Sequence, residues 1–187
     1  MEIDESQIIA AIQQGELSNF SSLYDLYNDK LYRFIYFRTH HKQTAEDLTS
    51  TVFMKALEHI GSYKPRKGQF SSWLYQIARN AIIDHYRTFK PSEDIENAWD
   101  LGSNVNIERD TDLKMNLEKV QSYLEGLSAQ QRDIVIMRVW DGLSHKEIAE
   151  VLGITEANSK MIFSRTLGKL QKEVSIALIT LLISKLS

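Results

Sequence analysis

The sequence predicts an all-α protein with two small helical domains joined by a flexible acidic linker. Apolar residues recur at helical spacing through most of the 187 residues, and no alternating strand pattern of useful length appears. Only two Pro and eight Gly interrupt the chain. Residues 89–114 break the helical pattern with Pro91, Gly102 and clustered Asn and Ser, which indicates a linker between two helical parts.

The elements follow from this periodicity and from end signals. Two expected starts match the capping box, in which a hydroxyl and a later Glu or Gln each bond the first turn: Ser128–Gln131 and Ser144–Glu147. Thr44 with Asp47 is a looser version. The expected helices cover residues 5–14, 18–39, 44–60, 70–88, 115–125, 129–140, 144–151 and 155–183. The predicted organisation is a helical domain (1–88), the linker (89–114), a second helical domain (115–173) and an apolar tail (174–187).

Composition excludes several classes of protein. The chain has no Cys, which excludes a disulfide framework or thiolate metal site and favours a reducing compartment. The acidic N-terminus lacks the basic segment of a signal peptide. The longest apolar run, residues 174–183, is too short to span a membrane. We therefore expect a cytoplasmic protein.

The formal net charge of -3 hides an uneven distribution of charge. Residues 64–90 hold six basic residues and one acidic residue, and residues 158–172 hold four basic residues and no acidic one. Between them, residues 91–113 hold seven acidic residues and one basic residue. A single basic segment is usually an ordinary solvated face, but two on separate helical domains favour a nucleic-acid partner.

Residues 143–170, LSHKEIAEVLGITEANSKMIFSRTLGKL, have the layout of a helix-turn-helix, whose second helix enters the DNA major groove. Gly153 permits the turn, and Thr155 is the expected N-cap of the second helix. A helical hairpin without DNA-binding activity would share part of this pattern. The residues expected to be buried are Ile148, Ala149, Leu152, Phe163, Thr166, Leu167 and Leu170. The residues expected to bind DNA are Thr155, Asn158, Lys160, Met161, Ser164, Arg165 and Lys169.

Residues 70–87, FSSWLYQIARNAIIDHYR, form an amphipathic helix that combines aromatic rings with arginines. The expected core stripe is Leu74, Ile77, Ala78, Ala81, Ile82 and His85. The opposite face and the preceding loop suit unpaired bases, which stack on rings while cations hold their phosphates. A helix whose Trp and Ile merely cover a neighbour is the alternative. The candidate DNA-binding residues are Tyr63, Lys64, Arg66, Lys67, Phe70, Trp73, Gln76, Arg79, Asn80, Ile83 and Arg87.

Three segments in order resemble bacterial RNA polymerase sigma factors of the sigma-70 family, extracytoplasmic-function type. They are AEDLTSTVFMKAL (45–57), residues 70–87 and residues 127–170. The resemblance implies a region 2-like bundle that docks on polymerase and melts the promoter −10 region, and a region 4-like helix-turn-helix that reads the −35 element. It implies that the polymerase-binding residues are Glu46, Asp47, Ser50, Phe53 and Met54.

The resemblance also implies the partners. They are core RNA polymerase, through its β′ clamp and β subunits, and promoter DNA, with an anti-sigma factor as a further candidate. No cofactor, metal, small-molecule substrate or catalytic residue is expected, because RNA synthesis belongs to the polymerase. The five His are scattered without an HExxH or phosphate-loop pattern, which disfavours an enzyme. A helix-turn-helix transcription regulator that acts without docking on polymerase is the alternative function.

Several positions depart from the family's usual pattern. Ser50 and Thr51 stand where Gln and an acidic residue are common, which puts the usual clamp contact in question. Met161 and Ile162 replace a frequent Ser-Arg pair, and Ser159 stands where a buried Val is usual, so the −35 preference is open. The tail is apolar on nearly every face. It either completes the second domain's core or docks on a partner, such as an anti-sigma factor or the first domain.

Overall fold

The protein, as a computed structural model, is described over residues 4–89, 124 and 126–173, and its chain divides into two compact units between residues 92 and 93. Side chains are described for residues 4–88, 124 and 126–169. The described residues form seven α-helices and no strand, which confirms the predicted all-α class. The expected linker apart from Phe89, which is helical, the tail and all but Leu124 of the helix expected at 115–125 lie outside the described residues.

The first unit contains four helices, α1 (Glu5–Gln13), α2 (Phe20–Thr39), α3 (Lys42–His59) and α4 (Phe70–Phe89). Single 3-10 turns lie at Leu17–Asn19, Ile60–Ser62 and Pro65–Lys67. The long helix α2 packs on α1, α3 and α4. Its contacts with α4 progress from Tyr27–Phe70 through Phe34–Tyr75 to Arg38–Tyr86, so these two helices run in the same direction.

The buried side of α4 is wider than the stripe that its sequence predicts. Leu74, Ala78, Ala81 and Ile82 are buried as expected, whereas Ile77 and His85 are half-buried. Tyr75 and Tyr86 are buried instead: the Tyr75 ring lies 5.2 Å from that of Phe34, and the Tyr86 hydroxyl donates to the Arg38 carbonyl at 2.7 Å. Because α4 contacts both α2 and α3, two partners cover more of its circumference than one would.

The start of α3 also differs from its prediction. The helix begins at Lys42 rather than Thr44, because the imidazole of His41 accepts a hydrogen bond from the Thr44 amide at 3.2 Å. This ring nitrogen has the N-cap role that a Ser or Thr hydroxyl usually has. The predicted Thr44–Asp47 cap is therefore wrong. The hydroxyl of Thr44 instead lies 2.9 Å from the same His41 nitrogen.

The second unit contains α5 (Ala129–Val139), α6 (His145–Leu152) and α7 (Glu156–Glu173). Both predicted capping boxes are present, at Ser128 and at Ser144. Gly153 ends α6 with φ of +67°, a left-handed conformation that favours glycine. The Thr155 hydroxyl accepts from the Asn158 amide at 3.1 Å and so caps α7. The predicted helix-turn-helix layout is thus confirmed.

The core of this unit includes a buried arginine. Arg132 on α5 is 1% exposed. Its Nε donates to the Leu124 carbonyl and its Nη2 to the Leu127 carbonyl, both at 2.9 Å. These bonds tie the chain that precedes α5 to the helix. Ile134, Ile136 and Met137 of the same helix are also fully buried.

Candidate nucleic-acid interface

Trp73 lies on a platform of aromatic rings near the start of α4. Its ring centroid is 5.5 Å from those of both Tyr63 and Phe70, which are 5.4 Å from each other. Phe70 in turn packs on Tyr27 of α2 at 5.7 Å. Trp73 is half-buried, so one part of the indole is supported while another part stays open to solvent. Such a ring is held ready for stacking without losing further rotamer freedom.

Two residues expected to touch DNA, Tyr63 and Phe70, support Trp73 from inside the first unit. Phe70 is 1% and Tyr63 is 8% exposed, so neither ring presents the open face that stacking on a base requires. The hydroxyl of Tyr63 donates to the Gly68 carbonyl at 3.0 Å. The sequence showed that these residues are aromatic, but the packing of α4 on α2 decided which rings face inward.

The remaining α4 candidates lie on one side of the helix. Asn80 and Arg87 are exposed, whereas the other four are half-buried: Trp73, Gln76, Arg79 and Ile83. The Arg87 guanidinium lies 3.9 Å from the carboxylate of Asp84, an exposed pair that contributes little energy. The face therefore offers a partly open ring beside an amide and cations, the groups that contact unpaired bases and phosphates.

The loop before α4 presents a cluster of positive charge. Lys64, Arg66 and Lys67 are all exposed around the Pro65–Lys67 turn. The loop is anchored by Gln13 of α1, whose side-chain amide donates to the Ile60 carbonyl at 2.8 Å and to the Tyr63 carbonyl at 3.0 Å. Sequence reasoning missed Gln13 because no local pattern links residues this far apart. The anchoring presents three cations beside Trp73 on a loop with a defined conformation.

The outer face of α3 carries most of the predicted polymerase contacts. Glu46, Asp47, Ser50 and Met54 are exposed, and Met54 reaches 64% exposure. Phe53 is an exception at 5%, because Phe20 and Tyr24 of the preceding segment cover it at 6.2 and 4.6 Å. Phe53 therefore packs inside the first unit, and its contact with polymerase stays a prediction.

Two exposed apolar residues extend this surface, and sequence reasoning missed both. Leu57 lies three residues after Met54 on α3, and Tyr24 lies against Phe53 from α2, with 36% and 43% exposure. The helical spacing of Met54 and Leu57 was a usable signal. Nothing in the sequence indicates that Tyr24 joins them, since only the packing of α2 on α3 brings it there. We call Met54, Leu57 and Tyr24 the α3 apolar surface.

The predicted face of α7 is accessible. Its exposed members are Thr155, Lys160, Met161, Ser164, Arg165 and Lys169, while Asn158 is half-buried. The ammonium of Lys160 lies 2.6 Å from the carboxylate of Glu156, and this hydrogen bond lowers the pKa of Glu156. The hydroxyl of Thr155 already accepts the capping bond, which leaves its hydrogen for a phosphate. On the inner side, Thr166 is buried as predicted, whereas Phe163 and Leu167, like Leu152 of α6, are half-buried.

A polar contact joins the two helices of the helix-turn-helix. Nδ1 of His145 lies 3.0 Å from the hydroxyl oxygen of Ser159, and its ring centroid is 5.3 Å from that of Phe163. Burial lowers the pKa of His145, and the positive charges of Arg138 and Lys160 lower it further, against a small opposing effect of Glu156. The imidazole is therefore neutral in the folded protein over a wider pH range than in the unfolded chain.

Acidification is expected to weaken the packing of α6 on α7. Because the folded pKa of His145 lies below its unfolded value, its contribution to stability is present above about pH 6.5 and is lost as pH falls through the folded pKa. Amide hydrogen exchange of α6 and α7 at about pH 7.5 and about pH 5.5, corrected for intrinsic rates, measures this loss. His145→Asn, which does not titrate, is the control. Equal pH dependence in the two proteins would contradict the expectation.

The described residues contain neither a group of three or more His, Asp or Glu suited to a metal ion nor a helix long and apolar enough to cross a membrane. The features described above are contact surfaces. Those surfaces are a ring platform with cations in the first unit, an exposed polar helix in the second, and an apolar face on α3.

Comparison with known proteins identifies families for both units. Residues 23–90 match the family Sigma-70 region 2, and residues 117–170 match Sigma-70, region 4. The first match contains the α3 face and the α4 face, and the second contains the helix-turn-helix. A regulator with a helix-turn-helix alone does not account for the region 2 match.

Three relatives agree with this assignment. The chain is 34% identical to the ECF RNA polymerase sigma factor BldN of Streptomyces coelicolor over 171 residues, 89% of this chain and 64% of the relative. It is 32% identical to the RNA polymerase sigma factor SigZ of Bacillus subtilis, over 82% of this chain and 86% of the relative. It is 31% identical to ECF RNA polymerase sigma factor SigM of the same organism, over 80% of this chain and 91% of the relative.

Solved structures share the fold at lower identity. CnrH in complex with the cytosolic domain of CnrY has a TM-score of 0.65 and 20% identity, covering 96% of this chain and 97% of that one. The sigma factor RpoE of Bartonella quintana, in complex with the anti-sigma factor NepR, has a TM-score of 0.66 and 23% identity, covering 84% and 98%. From its two family matches and its relatives, the chain belongs to the sigma-70 family of RNA polymerase sigma factors, in the extracytoplasmic-function group.

Proposed function

We propose that this sigma factor docks on core RNA polymerase through α3, opens the promoter −10 region with α4 and its preceding loop, and reads the −35 element with α7. One observation carries the proposal. A half-exposed tryptophan on an aromatic platform stands beside exposed cations in one unit, and a helix-turn-helix with a basic exposed face forms the other. A protein that opens DNA at one element and grips a second as duplex needs both surfaces.

Opening a duplex requires replacing the base stacking that is lost. Each unstacked base can recover about 1–3 kcal/mol by stacking on an aromatic side chain. We assign this stacking to Trp73, since Tyr63 and Phe70 are turned inward to support it. We assign Asn80 to hydrogen bonds with base edges and the cations of the loop to the phosphates on either side.

Reading duplex DNA requires an exposed helix that fits the major groove. On α7, Asn158 and Arg165 have side chains that can bond base edges, and Lys169 and Ser164 suit phosphates. Lys160 is paired with Glu156, so it binds a phosphate only by giving up its ion pair with that carboxylate. Met161 is 43% exposed on the same face and offers an apolar contact, for example to a thymine methyl.

Docking on polymerase is assigned to the outer face of α3. It combines the exposed carboxylates of Glu46 and Asp47 with the α3 apolar surface. An apolar centre with a charged rim is the usual composition of a protein interface. The hydroxyl of Ser50 donates to the Glu46 carbonyl of its own helix at 3.0 Å, so this residue contributes a smaller, self-satisfied surface than Gln would.

A regulatory partner is also proposed. RpoE of Bartonella quintana is a sigma factor that was solved with an anti-sigma factor bound. An anti-sigma factor of this chain would compete with polymerase if it covered the α3 apolar surface. We expect this chain to act in the cytoplasm, where polymerase and promoters are. The catalysis of RNA synthesis remains with the polymerase.

Run-off transcription with purified core polymerase and a promoter library tests the proposed function. The full chain is expected to direct sequence-selective initiation from a subset of templates that core polymerase alone does not use. A regulator that does not dock on polymerase would bind isolated duplex DNA and leave the selectivity of core polymerase unchanged. Absence of selective initiation would overturn the proposal.

Placing a charge on the α3 apolar surface is expected to weaken docking. Met54→Asp buries a carboxylate in the proposed contact, and we expect core polymerase affinity to fall about tenfold or more. Leu26→Asp is the matched control, because Leu26 is 40% exposed on α2 and is not part of this surface. Fluorescence anisotropy of the labelled chain with core polymerase measures both. Equal losses in the two variants would exclude a specific docking role for Met54.

A further inference from the structure

A polar contact between His145 and Ser159 lies inside the helix-turn-helix. Ser159 is 0% exposed on the inner side of α7. His145 is the first residue of α6, and its Nδ1 lies 3.0 Å from that hydroxyl. The ring of Phe163 packs on the imidazole, with 5.3 Å between the two ring centroids. One hydrogen bond thus connects the start of α6 with the first turn of α7.

A buried hydroxyl restricts a helix more than an apolar side chain does. Apolar contacts tolerate small sliding movements, whereas a hydrogen bond weakens steeply with distance and angle. A buried hydroxyl without a partner is also unfavourable. The position of Ser159 on α7 is therefore tied to that of His145. Because Ser159 lies directly between Asn158 and Lys160, any rotation of α7 about its own axis moves both of those residues.

We propose that the His145–Ser159 hydrogen bond sets the rotation of α7 and thereby determines which −35 sequences its N-terminal residues read. This inference rests on the proposed reading of the −35 element by α7. His145 is a positioning residue, since it acts on DNA through Ser159. The kind of ligand affected is duplex DNA, and the affected property is base preference at the positions that face Asn158 and Met161.

The charged neighbours of His145 support a neutral ring in this role. Arg138 of α5 and Lys160 of α7 oppose a positive imidazole, and Glu156 of α7 only partly offsets them. Arg138 is held in place by its bond to the Leu143 carbonyl at 3.0 Å, and Lys160 by its pair with Glu156. A neutral imidazole has one ring nitrogen as acceptor and the other as donor, so Nδ1 can accept from the Ser159 hydroxyl in one tautomer and donate to it in the other.

Three variants separate the bond from simple packing. His145→Leu removes the partner and leaves the Ser159 hydroxyl buried. His145→Asn keeps a polar atom close to the position of Nδ1. The double change His145→Leu with Ser159→Val replaces the polar contact by an apolar one. Ser6→Ala is the control, because it removes a serine hydroxyl from a helix, α1, that lies outside every proposed interface.

The experiment is run-off transcription by the reconstituted holoenzyme. The templates are a promoter selected by the unaltered protein and its single-base changes across the −35 element. We expect His145→Leu to reduce −35-dependent transcription about tenfold. We expect His145→Asn to restore most of it, and the double variant to be active with an altered order of preference among the base changes. Ser6→Ala is expected to match the unaltered protein.

The outcomes distinguish the two levels of the proposal. If the unaltered protein ignores all −35 changes, the assignment of α7 to the −35 element is wrong. If it responds, but all three variants keep the same order of preference and His145→Asn is no better than His145→Leu, the positioning role is wrong and the proposed function stands. Amide exchange of α6 and α7 identifies a variant that is unfolded. If His145→Leu is unfolded, the order of preference in His145→Asn and in the double variant decides whether the positioning role is right.

Discussion

A holoenzyme that carries Trp73→Ala is expected to bind promoter DNA but to open it about tenfold to a hundredfold less. The range corresponds to the loss of one stacking contact with a base. The physical reason is that Tyr63 and Phe70 support the indole from inside the protein, and neither can replace it because they are 8% and 1% exposed. Permanganate reactivity of unpaired thymines in the −10 region measures opening directly.

Two controls test whether the loss belongs to strand opening. Trp73→Phe keeps an aromatic ring on the same platform and is expected to recover part of the activity. A template whose −10 region is already unpaired is expected to reduce the defect of Trp73→Ala, because the cost of unpairing is then removed. Weakened binding to core polymerase would instead assign Trp73 to docking or to structure. A full defect on the unpaired template would exclude a role in opening.

Arg132→Ala is expected to lower the free energy of unfolding of the second unit by about 3 kcal/mol. Removal leaves the Leu124 and Leu127 carbonyls without the donors that they have at 2.9 Å, and it leaves a cavity in place of a side chain that is 1% exposed. Arg132→Lys is expected to recover only part of this loss, because an ammonium cannot reproduce the planar pair of nitrogens. Urea unfolding followed by amide signals of α5 measures the change.

The matched control is Arg165→Ala, which removes an exposed arginine from α7. Surface substitutions of this kind usually change stability by about 0.5 kcal/mol or less. The two variants also separate folding from recognition. Arg165→Ala should impair transcription from −35-dependent promoters while the unit stays folded, whereas Arg132→Ala should impair both. A loss of stability in Arg132→Ala no larger than that of Arg165→Ala would show that the buried guanidinium has no structural role.

The site could be predicted where the signal is local. The capping boxes at Ser128 and Ser144 and the left-handed Gly153 depend on residues within one turn, and all three are present. The exposed face of α7 also follows from periodicity alone. The sequence could not indicate the burial of Phe53 and Phe70, because an aromatic residue could equally well be an exposed contact or a buried support. Hydropathy gives the same value for both outcomes, so only the neighbouring helix decides.

The sequence by itself determined the helical class, the helix-turn-helix and the family, because periodicity, caps and ordered motifs are properties of nearby residues. Only the tertiary structure decided which aromatic rings are open. It turned Tyr63 and Phe70 inward beneath Trp73, and it brought Gln13 to the loop and Tyr24 to α3. It also paired Ser159 with His145 across the helix-turn-helix. The reason is that burial depends on what packs against a residue from distant parts of the chain, and helical spacing carries no information about that partner.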